Sequence, residues 1–236
     1  GHVKKPAEPE IWPGTCATFD ELRAVQQEVQ DLRVPSGKRK RKVKLRRDAN
    51  TLLATVFSLP VETAAALADP ALMETCRSAL HVAVAWETQR VEAEGGEVFL
   101  SALHLDEKHV HVHVFSGDRT RGRVNALHPG LASNDAYRST YGALNAKASG
   151  GAASPTALYR RAMRDWHDEL HGRVFSKFGL TRLGPRRQRL TREEWTAQMA
   201  AQEEAASVAD RLRTLRAAEA TMEEWNDFMT KGLEAI

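Results

Sequence analysis

The chain has little cysteine. Cys16 and Cys76 stand far apart in 236 positions and form no Cys-x-x-Cys pair, which argues against a disulfide framework or a thiolate zinc site and points to a reducing compartment. No apolar run approaches the roughly 20 residues that a membrane-spanning helix needs. No signal-peptide pattern of charge, apolar stretch and cleavage site is present either, so the expectation is a soluble, cytoplasmic protein without membrane insertion. The GxxxxGK(S/T) loop and the Rossmann glycine fingerprint are also missing, which disfavours nucleotide-phosphate chemistry of those kinds. What remains is an ordinary globular hydrophobic content, at a length that allows one substantial domain plus an extension.

Charge is present but uneven, and the net value of +3 conceals this. Lys38, Arg39, Lys40, Arg41, Lys42, Lys44, Arg46 and Arg47 place eight cations in ten residues, and the stretch from Arg182 to Arg192 holds five more, among them Arg186 and Arg187. Acidic residues concentrate instead in 193–236.

Periodicity organises the rest. The proline-rich segment 1–17 reads as an extended arm or loop. Phe19, Leu22, Val25, Val29 and Leu32 recur at helical spacing over 18–32. Residues 51–59 read as a strand ending at Pro60, and Asp69-Pro70 opens a helix reaching about 93, with Asp69 as N-cap. Two strands follow, 98–105 and 109–115, joined by a tight turn at Asp106-Glu107-Lys108. A short strand is expected at 123–127, a short helix capped by Ser133-Asn134-Asp135, a long amphipathic helix over 156–177, and a last helix capped by Thr191 with Glu194 three residues on. The expected fold is therefore α/β (α+β): a mainly antiparallel sheet carrying the histidine strand and flanked by helices. Residues 1–195 form the main domain and 196–236 a helical C-terminal extension, which could serve for homodimerisation.

The densest chemistry lies in Leu103 to His113, where four histidines, an aspartate and a glutamate share eleven residues. Alternation along a strand puts His109, His111 and His113 on one face and Val110, Val112 and Val114 on the other. Imidazole suits zinc, manganese, iron, nickel and copper, and three nitrogen ligands with open positions describe a catalytic site rather than a closed structural one. His111 and His113 converge from one strand, and His104 supplies a third ligand from its neighbour. Glu107 completes the shell or acts as a base beside it. His109 is left as an outer-shell or DNA-facing residue.

His104-Leu105-Asp106-Glu107, then three residues, then His111-Val112-His113 resembles the signature of the plasmid mobilisation and recombination proteins (Pre/Mob, MobV-type relaxases) of the HUH endonuclease superfamily. It departs in carrying His109-Val110 where that family commonly has Thr-Pro. The resemblance extends to Arg46-Arg47-Asp48-Ala49 with Ser58-Leu59-Pro60, to Tyr159 through Trp166, and to Gly179 through Pro185, covering about 45–195. It implies a site-specific nickase that cuts one strand of plasmid origin-of-transfer DNA, holds it as a covalent 5′-phosphoryl intermediate and rejoins it. Mn2+ or Mg2+ is the expected cofactor, with Zn2+ and Ni2+ as alternatives. Single-stranded or supercoiled origin DNA is the expected partner, together with other mobilisation or transfer proteins.

MobV-type relaxases resemble one another in using a histidine near the N-terminus as nucleophile. That implies His2, with Lys5 as the motif's basic residue, unless the nucleophile precedes Gly1 and Gly1-His2 is a cloning remnant. Tyr137 and Tyr141, four apart on one helix face, are the alternative of a tyrosine-dependent rolling-circle initiator or transposase, although packing of the two aromatics against the sheet is the preferred reading. DNA contact is expected from the 38–47 run, from Arg182, Arg186, Arg187 and Arg189, and from the turn arginines Arg119, Arg121 and Arg123. A metal-containing DNA-binding module without nicking activity and an unrelated three-histidine hydrolase stand as the other readings.

Overall fold

The computed structural model describes residues 7–36, 39–145, 154–183, 191–194 and 196–201, with 204, 207–208, 211–214 and 216 beyond them. The chain divides into two compact units, Gly1–Arg182 and Leu183–Ile236, so the boundary expected at 195/196 falls inside the second.

The first unit is a four-stranded antiparallel sheet with helices on both faces. Its strands are β1 (Glu10–Pro13), β4 (Leu53–Glu62), β5 (Glu97–His104) and β6 (His109–Gly117), in the order β1-β5-β6-β4. β2 (Arg33–Ser36) and β3 (Arg39–Lys44) form a separate two-stranded ribbon that carries the start of the cationic run. The helices are α1 (Phe19–Asp31), α2 (Thr63–Ala68), α3 (Pro70–Ala93), α4 (Pro129–Asn145) and α5 (Pro155–Arg173), the last followed by a 3-10 turn over Phe175–Phe178.

Local chemistry sets the helix ends. Thr18 caps α1, its Oγ1 accepting from Glu21 N at 3.2 Å while Glu21 Oε2 accepts from Ala17 N at 2.7 Å, a reciprocal box that satisfies two orphan amides. Asp69 caps α3 by accepting from Ala71 N and Leu72 N, with Pro70 in the first turn. α3 ends at Ala93 with Glu94 as its C-cap, and Gly95 just beyond has a φ of 75°, the left-handed conformation that glycine adopts without a Cβ clash.

Several elements differ from expectation. Glu10–Pro13 is a strand at the sheet edge, where Pro13 takes a ladder position opposite Leu100. β4 runs past Pro60 to Glu62, because an edge strand tolerates the missing amide and the register shifts between Ser58 and Glu62. No strand forms at 123–127; Val124 N makes one bond to Asn50 O, and the chain then turns. α4 begins at Pro129 rather than at the 133–135 triplet, with His128 Nδ1 accepting from Leu131 N at 3.3 Å in the capping role.

The two faces of the sheet build two cores. On the valine face, Val110, Val112, Val114, Phe57 and Leu59 pack with Leu80, Ala83 and Val91 of α3 and with Leu170 of α5. Trp166 of α5 stacks on Phe57 at 6.1 Å between ring centres. On the other face, Leu22, Val25 and Val29 of α1 cover Leu100, Ala102 and Phe99, with Phe115 alongside. Each large side chain so buried contributes roughly 1.5–3 kcal/mol. Among the described residues, no helix is long and apolar enough to cross a membrane.

In the second unit, Thr191 N donates to Glu194 Oε2 at 2.7 Å and Glu194 N donates to Thr191 Oγ1 at 3.2 Å, the reciprocal cap that the sequence implies.

A candidate metal centre on the sheet

Strand register assembles the histidines. His104 of β5 pairs directly with His111 of β6, and Ala102 pairs with His113. Directly opposed residues in an antiparallel pair share a face, so the three imidazoles meet on the face opposite the valines. Ala102, fully buried, leaves room for the His113 ring beside His104. Ring centres lie 5.1 Å apart for His104–His111, 4.8 Å for His104–His113 and 5.1 Å for His111–His113.

These spacings fit a shared ion. Imidazoles whose nitrogens sit about 2.1 Å from one ion place their ring centres roughly 4.6–5.3 Å apart, for angles from octahedral to tetrahedral. The side chains are gathered rather than converged: His104 and His111 stack with planes 9° apart, and among the described residues no three donor groups already stand at ligating distance. Chemistry supports the fit. His111, buried at 5 % exposure, has Nδ1 2.9 Å from the His109 carbonyl oxygen, the contact that holds a ring with Nε2 facing outward. Glu107 Oε2 lies 3.9 Å from that Nε2, on a carboxylate exposed at the lip of the turn.

Two residues take roles that the motif alone does not assign. His109 serves through its backbone carbonyl, while its own Nδ1 is buried without a hydrogen-bond partner. Asp106 Oδ1 lies 3.6 Å from His104 Nδ1 and is also buried without a hydrogen bond, and Oδ2 accepts from Ala7 N at 3.3 Å. A carboxylate behind a ligating histidine fixes its orientation. The available signal was the position of Asp106 in the tight turn, two residues from His104.

Burial holds the His113 imidazole below its usual 6.5, with His104 and His111 adding to the shift and Glu107 opposing it. A neutral imidazole is the form that binds metal. Beside the cluster, Val56 and Ser58 of β4 lie opposite His113 and His111, and both are exposed, so the site opens onto a shallow strip.

The other candidates are more scattered. Tyr137 is 6 % exposed on α4, which packs on α5, the helix whose Trp166 lies on the valine face; the structure does not bring it to the histidines. The Tyr141 side chain, His2, Lys5, Lys38, Arg186 and Arg187 lie outside the described residues, as do the side chains of Arg39 and Lys40. Arg41, Lys42 and Arg47 are exposed. Lys44 pairs with Asp31 at 2.6 Å and Arg46 with Asp48 at 2.8 Å. Arg119 bridges Glu97 at 2.8 Å and Glu28 at 3.7 Å, and Arg121 is tied to Asp118 and the Glu94 carbonyl, so both turn arginines brace their loop.

Comparison of the chain with protein-family models, with curated proteins and with solved structures finds no match.

Proposed function

We propose that the chain is a metal-dependent DNA nicking-joining endonuclease of the relaxase kind, acting on one strand of plasmid origin DNA. The observation that carries this reading is the gathering of His104, His111 and His113 on an open sheet face, with Glu107 at its lip. His104, His111 and His113 would hold a divalent ion, Mn2+ or Mg2+ first and Zn2+ or Ni2+ as alternatives, with Glu107 as a fourth ligand or a base. Such an ion, when bound, supplies charge stabilisation to phosphoryl oxygens and orients the phosphate for in-line attack. The residues around it do the remaining work. The His109 carbonyl and Asp106 hold the rings, burial keeps His113 neutral, and the exposed β4 strip admits a polymer that a closed pocket would exclude. The exposed Arg41 and Lys42 of β3 and Arg47 neutralise backbone phosphates, which makes binding strongly salt-dependent. Retaining the cut end for rejoining requires a protein nucleophile, for which His2 or a residue preceding Gly1 is the leading choice.

A second reading, a metal-containing DNA-binding module without cleavage, draws on the placement of Tyr137 away from the histidines. One experiment separates the two. Full-length protein is incubated with supercoiled and single-stranded origin DNA and manganese, and covalent DNA–peptide adducts are mapped. Nicking with a mapped adduct supports the relaxase reading; tight binding with neither nicking nor adduct overturns it in favour of the second.

A further inference from the structure

Just ahead of β4 the chain folds Arg46, Asp48, Ala49 and Asn50 against Arg123 and Asn125 around a cavity of about 190 Å³. That is below the roughly 300 Å³ of a pocket for a drug-sized ligand and suits one planar ring system. Backbone bonds pin its walls: Val124 N donates to Asn50 O at 3.0 Å and Ala49 N to Arg46 O at 3.0 Å. Arg46 lies forked on Asp48 through Nε at 3.0 Å and a terminal nitrogen at 2.8 Å, so both are held in place. Asn125 Nδ2 donates to Asp135 at 2.9 Å, which leaves its Oδ1 as an acceptor. Arg123 is exposed and forms no ion pair with a described residue, so its donors are available.

A seat for a phosphate alone would hold only donors and cations. This cavity adds two amides to one free arginine fork, that of Arg123, and to a carboxylate already held by Arg46; arginine and asparagine are the side chains that pair bidentately with guanine and adenine edges. Its position adds to this. Asn50 leads into β4, whose exposed Ala54, Val56 and Ser58 lie opposite Phe115, His113 and His111. A single strand held at the histidines and lying along that strip passes toward the cavity.

We propose that the Arg46–Asn50–Arg123–Asn125 cavity holds one unstacked base of the bound single strand and reads its edge, making Asn50, Arg123 and Asn125 determinants of origin sequence. This rests on the nicking-joining reading. It can be tested without cleavage by selecting a randomised single-stranded oligonucleotide library on the full chain in chelator, then measuring affinities by fluorescence anisotropy. The expected result is a base preference at one position that Arg123→Gln and Asn50→Ala each weaken by roughly tenfold, with melting temperature and metal uptake unchanged. An abasic nucleotide at that position should weaken the parent chain but not the variants. Variants that weaken every sequence alike, with the preference intact, reduce the cavity to a phosphate contact and overturn the inference. A parent chain that binds single strands without any preference overturns it while leaving the nicking reading in place, and a chain that binds no single strand overturns both.

Discussion

The two faces of the central sheet each carry a polar cluster, and the clusters differ in how completely their groups are satisfied. On the valine face, Glu87 is fully buried with both oxygens engaged: Arg90 reaches them at 2.7 and 2.8 Å and Thr55 Oγ1 donates at 3.1 Å. On the opposite face, the imidazoles are stacked and tilted against one another, and Asp106 Oδ1 and His109 Nδ1 are buried without hydrogen bonds. A buried polar group left unpaired costs about 1–3 kcal/mol. The Glu87 carboxylate is fully satisfied and serves the fold, while Ser116 Oγ and Trp166 Nε1 on the same face are buried without hydrogen bonds. The histidine cluster retains unmet bonding capacity, which fits a site that an ion or substrate completes.

The largest effect that tests this contrast comes from Glu87→Ala. It strands a guanidinium whose side chain is only 17 % exposed, and breaking a buried pair costs about 3–5 kcal/mol. Chemical denaturation should show that loss, with the double change to Glu87→Leu and Arg90→Met recovering most of it. If Glu87→Ala costs no more than a surface change, the cluster is not structural and the contrast fails.

Next comes His111→Ala with His113→Ala. Loss of an outer partner alone lowers metal affinity roughly ten- to a hundredfold, and loss of two ligands should lower it further. Titration calorimetry with Mn2+ and Zn2+ should show this while the apo protein melts within a few degrees of the parent. Unchanged metal content in the double variant would remove the metal assignment.

The smallest effect is one of pH. Because the folded His113 titrates below 6.5, the unfolded chain binds more protons between that lowered value and about 6.5. The stability contribution is then fully present above 6.5 and declines as pH falls through the folded value. Melting temperatures of the apo protein compared at pH 7.5 and 5.5 should show an acid-side loss that His113→Gln reduces. An identical acid loss in that variant would assign it to other groups.

Legibility followed the range of the interactions. Asp69 and Thr191 act on amides two or three residues away, so these caps could be read directly from the chain, whereas the cap read at Ser133-Asn134-Asp135 lies inside α4. β1 could not be read, because its pairing with β5 joins residues some ninety positions apart and its composition is that of a loop. The expected strand at 123–127 failed for the converse reason: among the described residues no strand pairs with it, and Val124 N bonds only the Asn50 carbonyl. His111 and His113 shared a face by alternation alone. Whether His104 joins them depends on the β5–β6 register, since a slip of one residue would turn its ring to the valine face.

Sequence alone determined the alternation of His and Val, the tight turn between β5 and β6, the caps at Asp69 and Thr191, and the concentration of cations in 38–47, because each arises from near-neighbour chemistry. Tertiary structure decided which groups are spent and which stay available. Arg119 and Arg121 are taken up by distant or looped-back carboxylates and carbonyls, Glu87, neutralised by Arg90 one turn along its own helix, takes its last bond from Thr55 across the helix–sheet interface, and the His109 ring gives way to its own carbonyl as the working group. Those outcomes depend on which side chains meet across the fold, and burial raises the cost of every bond left unmade.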